Sequence, residues 1–223
     1  MRKCELHDLG RIDYGPSLEL QRSLAEKRKQ GLVPDQLLLV EHPHVITLGR
    51  NGKMRNLLAS EDVLRRAGIS FFPTDRGGDI TYHGPGQLVG YPIFDLREWK
   101  RDVVAYVRAI EQALIDTLAD FGIAAGREQG MTGVWVKGKK VAAIGVHLSR
   151  WITSHGFALN VTTDLRYFQY IVPCGLTKPV TSMAELGAAP SRPELIGSLS
   201  RHFADIFQLE IVEPVMVSEE EAI

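Results

Sequence analysis

Apolar residues recur along this chain with two different periods. From Asp102, the residues Val104, Val107, Ile110, Leu114, Leu118 and Phe121 follow at helical spacing, and Gly122 stands just past the last of them. That pattern predicts the longest helix of the chain. Leu195, Leu199, Phe203 and Ile206 form a second helical stripe that leads into a short strand near Leu209 to Val212. Pro16 to Gln30 carries Leu20 and Leu24 on one face among many charges, with Pro16 in the first turn and Gly31 as a stop, which suits an amphipathic surface helix. Ser60 to Ala67 reads as a cap followed by a short helix.

Elsewhere the period shortens. Gln36 to Glu41 and Val45 to Leu48 are apolar runs split by His42-Pro43-His44, which suits two strands around a tight connection. Gly133 to Val136, Lys140 to Leu148 and His155 to Val161 are β-rich, and Lys137-Gly138-Lys139 supplies hairpin-turn chemistry between the first two. Strands and helices interleave without a regular βαβ alternation. The predicted class is therefore α+β, with one domain over 1–223, a mixed, mostly antiparallel sheet and packed helices. Residues 215–223 read as a solvated, flexible tail.

Composition narrows the choice of chemistry. A chain of 223 residues, 44% of them hydrophobic, can bury a sizeable core within one domain. The 26 basic and 27 acidic residues leave a formal charge of −1, so no global field favours nucleic acid or an anionic membrane. MRKCELHDLG lacks the apolar run of a signal peptide, and no stretch is apolar over the ~18 residues of a membrane span. A cytoplasmic location is expected. Two cysteines, Cys4 and Cys174, are too few for a disulfide framework and are expected as thiols.

The densest cluster of unusual residues runs from Arg76 to Gln87, RGGDITYHGPGQ, where four glycines let backbone pass close to a ligand while Arg76, Thr81, His83 and Gln87 offer polar contacts. It is not a dinucleotide fingerprint, because Gly84, Gly86 and Gly90 lack the spacing and no helix opens behind them. GVWVKGKK, from Gly133 to Lys140, nearly fits a phosphate-binding loop but ends in Lys where Ser or Thr should hold magnesium, and its context is β-rich.

Cys174 lies between Pro173 and Gly175, which argues for a loop with an accessible thiol rather than a buried hydrophobe. A thiol of pKa ~8.5 is only slightly ionised near neutrality, so a nucleophilic role needs a cation or base nearby. Lys140, at the head of a predicted strand, is the candidate, although a lysine beside a turn is ordinarily a solvated cation and spacing alone does not bring it to Cys174. His42 and His44 read as structural or rim residues. No ligand-spacing motif joins them to Cys174 as a metal site.

Three separated motifs resemble the lipoate-biosynthesis octanoyltransferases, the lipoyl(octanoyl) transferases. Arg76 through Gln87 matches the family pattern R-G-G-x-x-T-aromatic-H-x-x-G-Q at every specified position. Lys140-Val141-Ala142-Ala143-Ile144-Gly145-Val146 resembles the strand whose leading lysine sits against the catalytic thiol, and Pro173-Cys174-Gly175 resembles the segment carrying the acyl-thioester cysteine. Gly156-Phe157-Ala158-Leu159-Asn160 matches a further substrate-pocket strand.

The resemblance implies the biotin/lipoate protein ligase catalytic fold, with Cys174 and Lys140 as a catalytic dyad. It places Arg76, Gly77, Gly78, Asp79, Ile80, Thr81, Tyr82, His83, Ala143, Ile144, Gly145, Gly156, Phe157 and Ala158 around the acyl group. The implied donor is octanoyl-acyl carrier protein, bringing the acyl group on phosphopantetheine. The implied acceptors are lipoyl domains of 2-oxoacid dehydrogenase complexes and the glycine cleavage H protein, with no nucleic acid, membrane, ATP or metal required. An ATP-dependent lipoate or biotin ligase is the nearest alternative, since Leu48-Gly49-Arg50-Asn51 echoes a lipoate-ligase segment, but adenylation needs no cysteine nucleophile. A silent module that only holds a lipoyl domain or an acyl chain would have no use for both Lys140 and Cys174.

Overall fold

A computed structural model of the chain describes residues 1–172 and 179–214. In chain order its strands are β1 (Arg2–Arg11), β2 (Asp35–Glu41), β3 (Val45–Leu48), β4 (Ser70–Pro73), β5 (Ile80–His83), β6 (Gln87–Ile93), β7 (Gly126–Glu128), β8 (Met131–Val136), β9 (Lys139–Ser149), β10 (Ile152–Asn160) and β11 (Leu209–Val212). The helices are α1 (Tyr14–Lys29), α2 (Glu61–Arg66), α3 (Val103–Asp120) and α4 (Arg192–Phe207). The class is α+β, as the sequence predicts.

The main sheet runs β11-β1-β2-β6-β10-β9-β8-β7, parallel where β1 meets β11 and β2 and antiparallel from β2 onward. Its centre is covered on both faces, which is why β2 reads as the unbroken apolar run LLLV. Leu37 and Leu39 pack into the cluster built with α3 and α4, whereas Leu38 and Val40 pack with Ala25 of α1 on the other side. In α3, Ile110, Leu114 and Leu118 are fully buried, and burying an aliphatic side chain of this size contributes ~1.5–3 kcal/mol. Asp102 caps that helix by accepting from the Ala105 N–H at 2.9 Å. Ser191 and Glu194 form a capping box at the start of α4.

The turn between β8 and β9 has positive φ at both Lys137 (48°) and Gly138 (76°), as a two-residue hairpin loop requires. Two features go beyond what the sequence predicts. The runs around His42-Pro43-His44 are strands but not partners: β2 joins the main sheet, and β3 joins a small sheet ordered β4-β3-β5. His42 holds the crossover, its Nδ1–H donating to the Ile12 carbonyl at 2.7 Å while its Nε2 accepts from the Tyr91 hydroxyl at 2.7 Å. The glycine-rich motif is partly extended. Its second half is β5 and the start of β6.

No helix of the described residues is long and apolar enough to cross a membrane. The expected tail, 215–223, lies outside the described residues.

Candidate active site

A cavity of about 420 Å³ opens where the small sheet meets the middle of the main one, within the size range of small-molecule sites. Its floor is the β9–β10 pair, in which Gly145 faces Gly156, Ile144 faces Phe157 and Ala143 faces Ala158. Glycine is needed at position 145 because a Cβ there would stand 2.8 Å from the Gly77 carbonyl oxygen. That close approach seats the 76–79 loop on β9, where the Gly77 N–H donates to the Val146 carbonyl at 2.8 Å.

The loop is pinned from three sides. The Arg76 guanidinium donates to the Thr47 carbonyl at 2.8 Å, to its hydroxyl at 3.0 Å and to the Gly77 carbonyl at 3.0 Å. Asp75 accepts from His155 Nε2–H at 2.9 Å and lies 3.6 Å from His147. Burial works to raise the Asp75 pKa, but the hydrogen bond and charge of His155 outweigh it and leave the carboxyl below its usual range. Asp79 accepts from the Lys53 N–H at 3.2 Å and from Asn56 Nδ2 at 2.5 Å.

Residues 76–81, His83, 143–145 and 156–158 all border this one cavity, together with Lys140. Tyr82 does not. Strand alternation turns it to the opposite face of β5, where its hydroxyl meets His44 Nδ1 at 2.7 Å and its ring stacks 5.3 Å from Tyr167.

Lys140 begins the cavity-lining stretch of β9, and its ammonium lies 4.8 Å from the centre of the Trp135 ring. Its main chain pairs with residues 179–181 in an isolated parallel bridge at Val180. The Lys140 N–H donates to the Pro179 carbonyl, and its own carbonyl accepts from the Thr181 N–H, each at 2.9 Å. On the other flank, the Val172 N–H donates to the Asn56 carbonyl at 2.8 Å. Cys174 itself lies outside the described residues. The second cysteine, Cys4, is completely buried in the core, where burial and the nearby Asp35 carboxylate push its thiol pKa far up, so it stays protonated and inert.

His83 is buried at the cavity wall. Burial, then the neighbouring His42, lowers its pKa to about 3, so its ring is neutral at any physiological pH. Several supporting residues carry no signal in the sequence. Asn56, Glu111, Gly133 and Thr181 reach the site only through contacts distant along the chain. Glu111 of α3, for example, accepts from the Gly133 N–H at 3.0 Å and holds the strand over which Lys140 lies. Among the described residues no group of three or more His, Cys, Asp or Glu side chains is placed to hold a metal ion.

Residues 13–204 match the family model of the lipoyl protein ligase A/B catalytic domain. The octanoyltransferase of Solibacter usitatus (strain Ellin6076) is 70% identical over 212 residues, covering 95% of this chain and 96% of its own. That of Koribacter versatilis (strain Ellin345) is 52% identical, covering 92% of this chain and 84% of its own. A solved lipoate-protein ligase A bound with ATP superposes with a TM-score of 0.80 over 99% of this chain and 92% of that one. At 18% identity this likeness speaks for the fold alone. With a family model spanning most of the chain and full-length octanoyltransferases this similar, the chain belongs to the octanoyltransferase family of the lipoyl protein ligase A/B catalytic domain.

Proposed function

We propose that the chain transfers an octanoyl group from octanoyl-acyl carrier protein to the lysine of a lipoyl domain, through a thioester on Cys174. One observation supports this most strongly: the described residues on either side of 173–178 are bonded to residues at the cavity walls. Val172 is bonded to Asn56, whose side chain holds Asp79, and Pro179 is bonded to Lys140 itself. Lys140 and Pro179, distant in sequence, are thus neighbours through main-chain pairing.

In this reading Lys140 ionises the thiol. An ammonium ~4 Å from a sulfur at an effective dielectric of ~20 favours the thiolate by about 4 kcal/mol, roughly three pKa units. Half of that already makes the thiolate abundant at neutral pH. Cys174 attacks the donor thioester, and Lys140 hands the proton taken from that thiol to the departing phosphopantetheine sulfur, which leaves Lys140 a neutral amine. The acceptor lysine then attacks the acyl-enzyme, Lys140 takes up the proton, and the amide forms as the thiolate leaves. A thioester is already activated, so the scheme uses no ATP and no metal. Acceptors of this chemistry are lipoyl domains of 2-oxoacid dehydrogenase complexes and the glycine cleavage H protein, all reached from the cytoplasm.

Turnover with octanoyl carrier protein and a lipoyl domain in ATP-free buffer tests the proposal. Transfer should proceed, and Cys174→Ala should abolish it with the fold intact. A strict ATP requirement would instead assign the chain to the ligases, and binding without transfer to a silent module.

A further inference from the structure

His83 belongs to a hydrogen-bond chain whose polarity can be read without ambiguity. At one end is the Thr181 carbonyl, which can only accept, so the Asn160 amide nitrogen is the group facing it at 3.0 Å. The Asn160 oxygen therefore faces Gln87, whose Nε2 donates to it at 2.9 Å and to the Tyr82 carbonyl at 3.3 Å. That leaves the Gln87 oxygen turned to His83 at 2.7 Å, and an oxygen there requires a proton on His83 Nδ1. In a neutral ring Nε2 then carries a lone pair. It bonds to none of the described residues, while His83 borders the cavity.

The neighbouring histidines cannot serve instead. His42 uses both nitrogens, on Ile12 and Tyr91, and His155 commits Nε2–H to Asp75 with its Nδ1 sealed from solvent. The Thr181 that terminates the chain also donates to the Lys140 carbonyl. Asn160 thereby registers the His83 side of the cavity against the Lys140 side.

We infer that Gln87 and Asn160 are positioning residues that fix His83 as its Nδ1–H tautomer, so that Nε2 accepts an N–H from the attacking lysine of the acceptor domain. The inference rests on the transfer reading above. As the amine nitrogen bonds to the acyl carbon it gains positive charge, and its N–H groups become stronger donors. One points to His83 Nε2. The other proton leaves for Lys140 as the carbon–sulfur bond breaks and the Cys174 thiolate departs, giving a neutral amide. A ring this reluctant to protonate is a poor base, so His83 orients and stabilises the amine while Lys140 takes the proton. The same lock excludes a role in polarising the thioester carbonyl, which would need a donor at Nε2.

Two measurements on the full chain test this. Nitrogen-15 NMR of histidine-labelled protein, with His83 assigned by its loss in His83→Phe, should show a protonated Nδ1 and an unprotonated Nε2. A protonated Nε2 overturns the proposal. In single-turnover experiments, Gln87→Met and His83→Phe should slow transfer from the octanoyl-loaded enzyme to a lipoyl domain by about tenfold, the worth of one neutral hydrogen bond. In Gln87→Met, loading from the donor should change far less than transfer, and His83→Gln, whose amide oxygen can occupy the Nε2 position, should recover part of the transfer lost in His83→Phe. Equal slowing of loading and transfer would reduce the residues to scaffolding and overturn the proposal. A wild-type chain that takes up no octanoyl group removes the transfer reading and this inference together. Uptake followed by unaltered transfer in both variants removes this inference alone.

Discussion

The stem of Lys140 crosses the bare α-carbon of Gly133. A methyl group at Gly133 would stand 3.4 Å from Lys140 Cε and 2.7 Å from the Ala142 carbonyl oxygen, and Gly133 holds φ at 123°, where side chains are strained. Gly133→Ala should therefore cost about 1–3 kcal/mol of stability and displace the lysine. A denaturation midpoint and a transfer assay check it together. Both should fall, and unchanged transfer would show that Lys140 does not need this track.

Acid should weaken the fold early. Burial lowers the pKa of His42, His83 and His155, so below the ordinary histidine value of ~6.5 the unfolded chain binds protons that the folded chain refuses. Their contribution is complete above that value and is lost as pH falls, for His83 until about 3. That gap corresponds to at most about 5 kcal/mol for His83. Urea midpoints measured from pH 7.5 down to ~4.5 should decline steadily, and His83→Phe should flatten the decline. A level profile in the wild-type chain would contradict the assigned burial.

Arg76 is a fork, not simply a charge. Its bonds to Thr47 and Gly77 need a planar guanidinium, which an ammonium cannot replace. Arg76→Lys should loosen the 76–79 loop and reduce kcat/KM by roughly tenfold or more, given ~1.5–3 kcal/mol per hydrogen bond to a charged group. Retention of full activity would show that the loop is held without the fork.

Chain-length preference should be graded. About six buried methylenes at ~0.8 kcal/mol each provide close to 5 kcal/mol of binding, whereas one methylene more or less changes selection by only ~1–3 kcal/mol. Competition between hexanoyl, octanoyl and decanoyl donors should give a peak at octanoyl with measurable flanks. A complete block one step either side would point to a rigid end wall.

Much of this was legible along the chain because helical periodicity survives without context. The stripe from Val104 to Phe121 gives α3 to within a residue or two. β1 was not legible, because its Lys3, Glu5, His7 and Asp8 break any apolar alternation, and its place between β11 and β2 comes from parallel pairing. β5 and β6 were hidden by the glycines of the motif. In the site, the motif residues stood out by type, but their supports did not. Asn160 meets Gln87 across 73 positions and Gly133 meets Glu111 across 22, and nothing local to an asparagine or a glutamate announces such a partner.

The central claim is that the acyl group rests on Cys174 beside Lys140. Incubation of the chain with octanoyl carrier protein alone, followed by intact mass and peptide mapping, tests it most directly. One added octanoyl group on the Cys174 peptide, absent in Cys174→Ala and chased off by a lipoyl domain, is the expected result. A chain that transfers octanoate with no adduct on that peptide, or with the adduct on another residue, contradicts it.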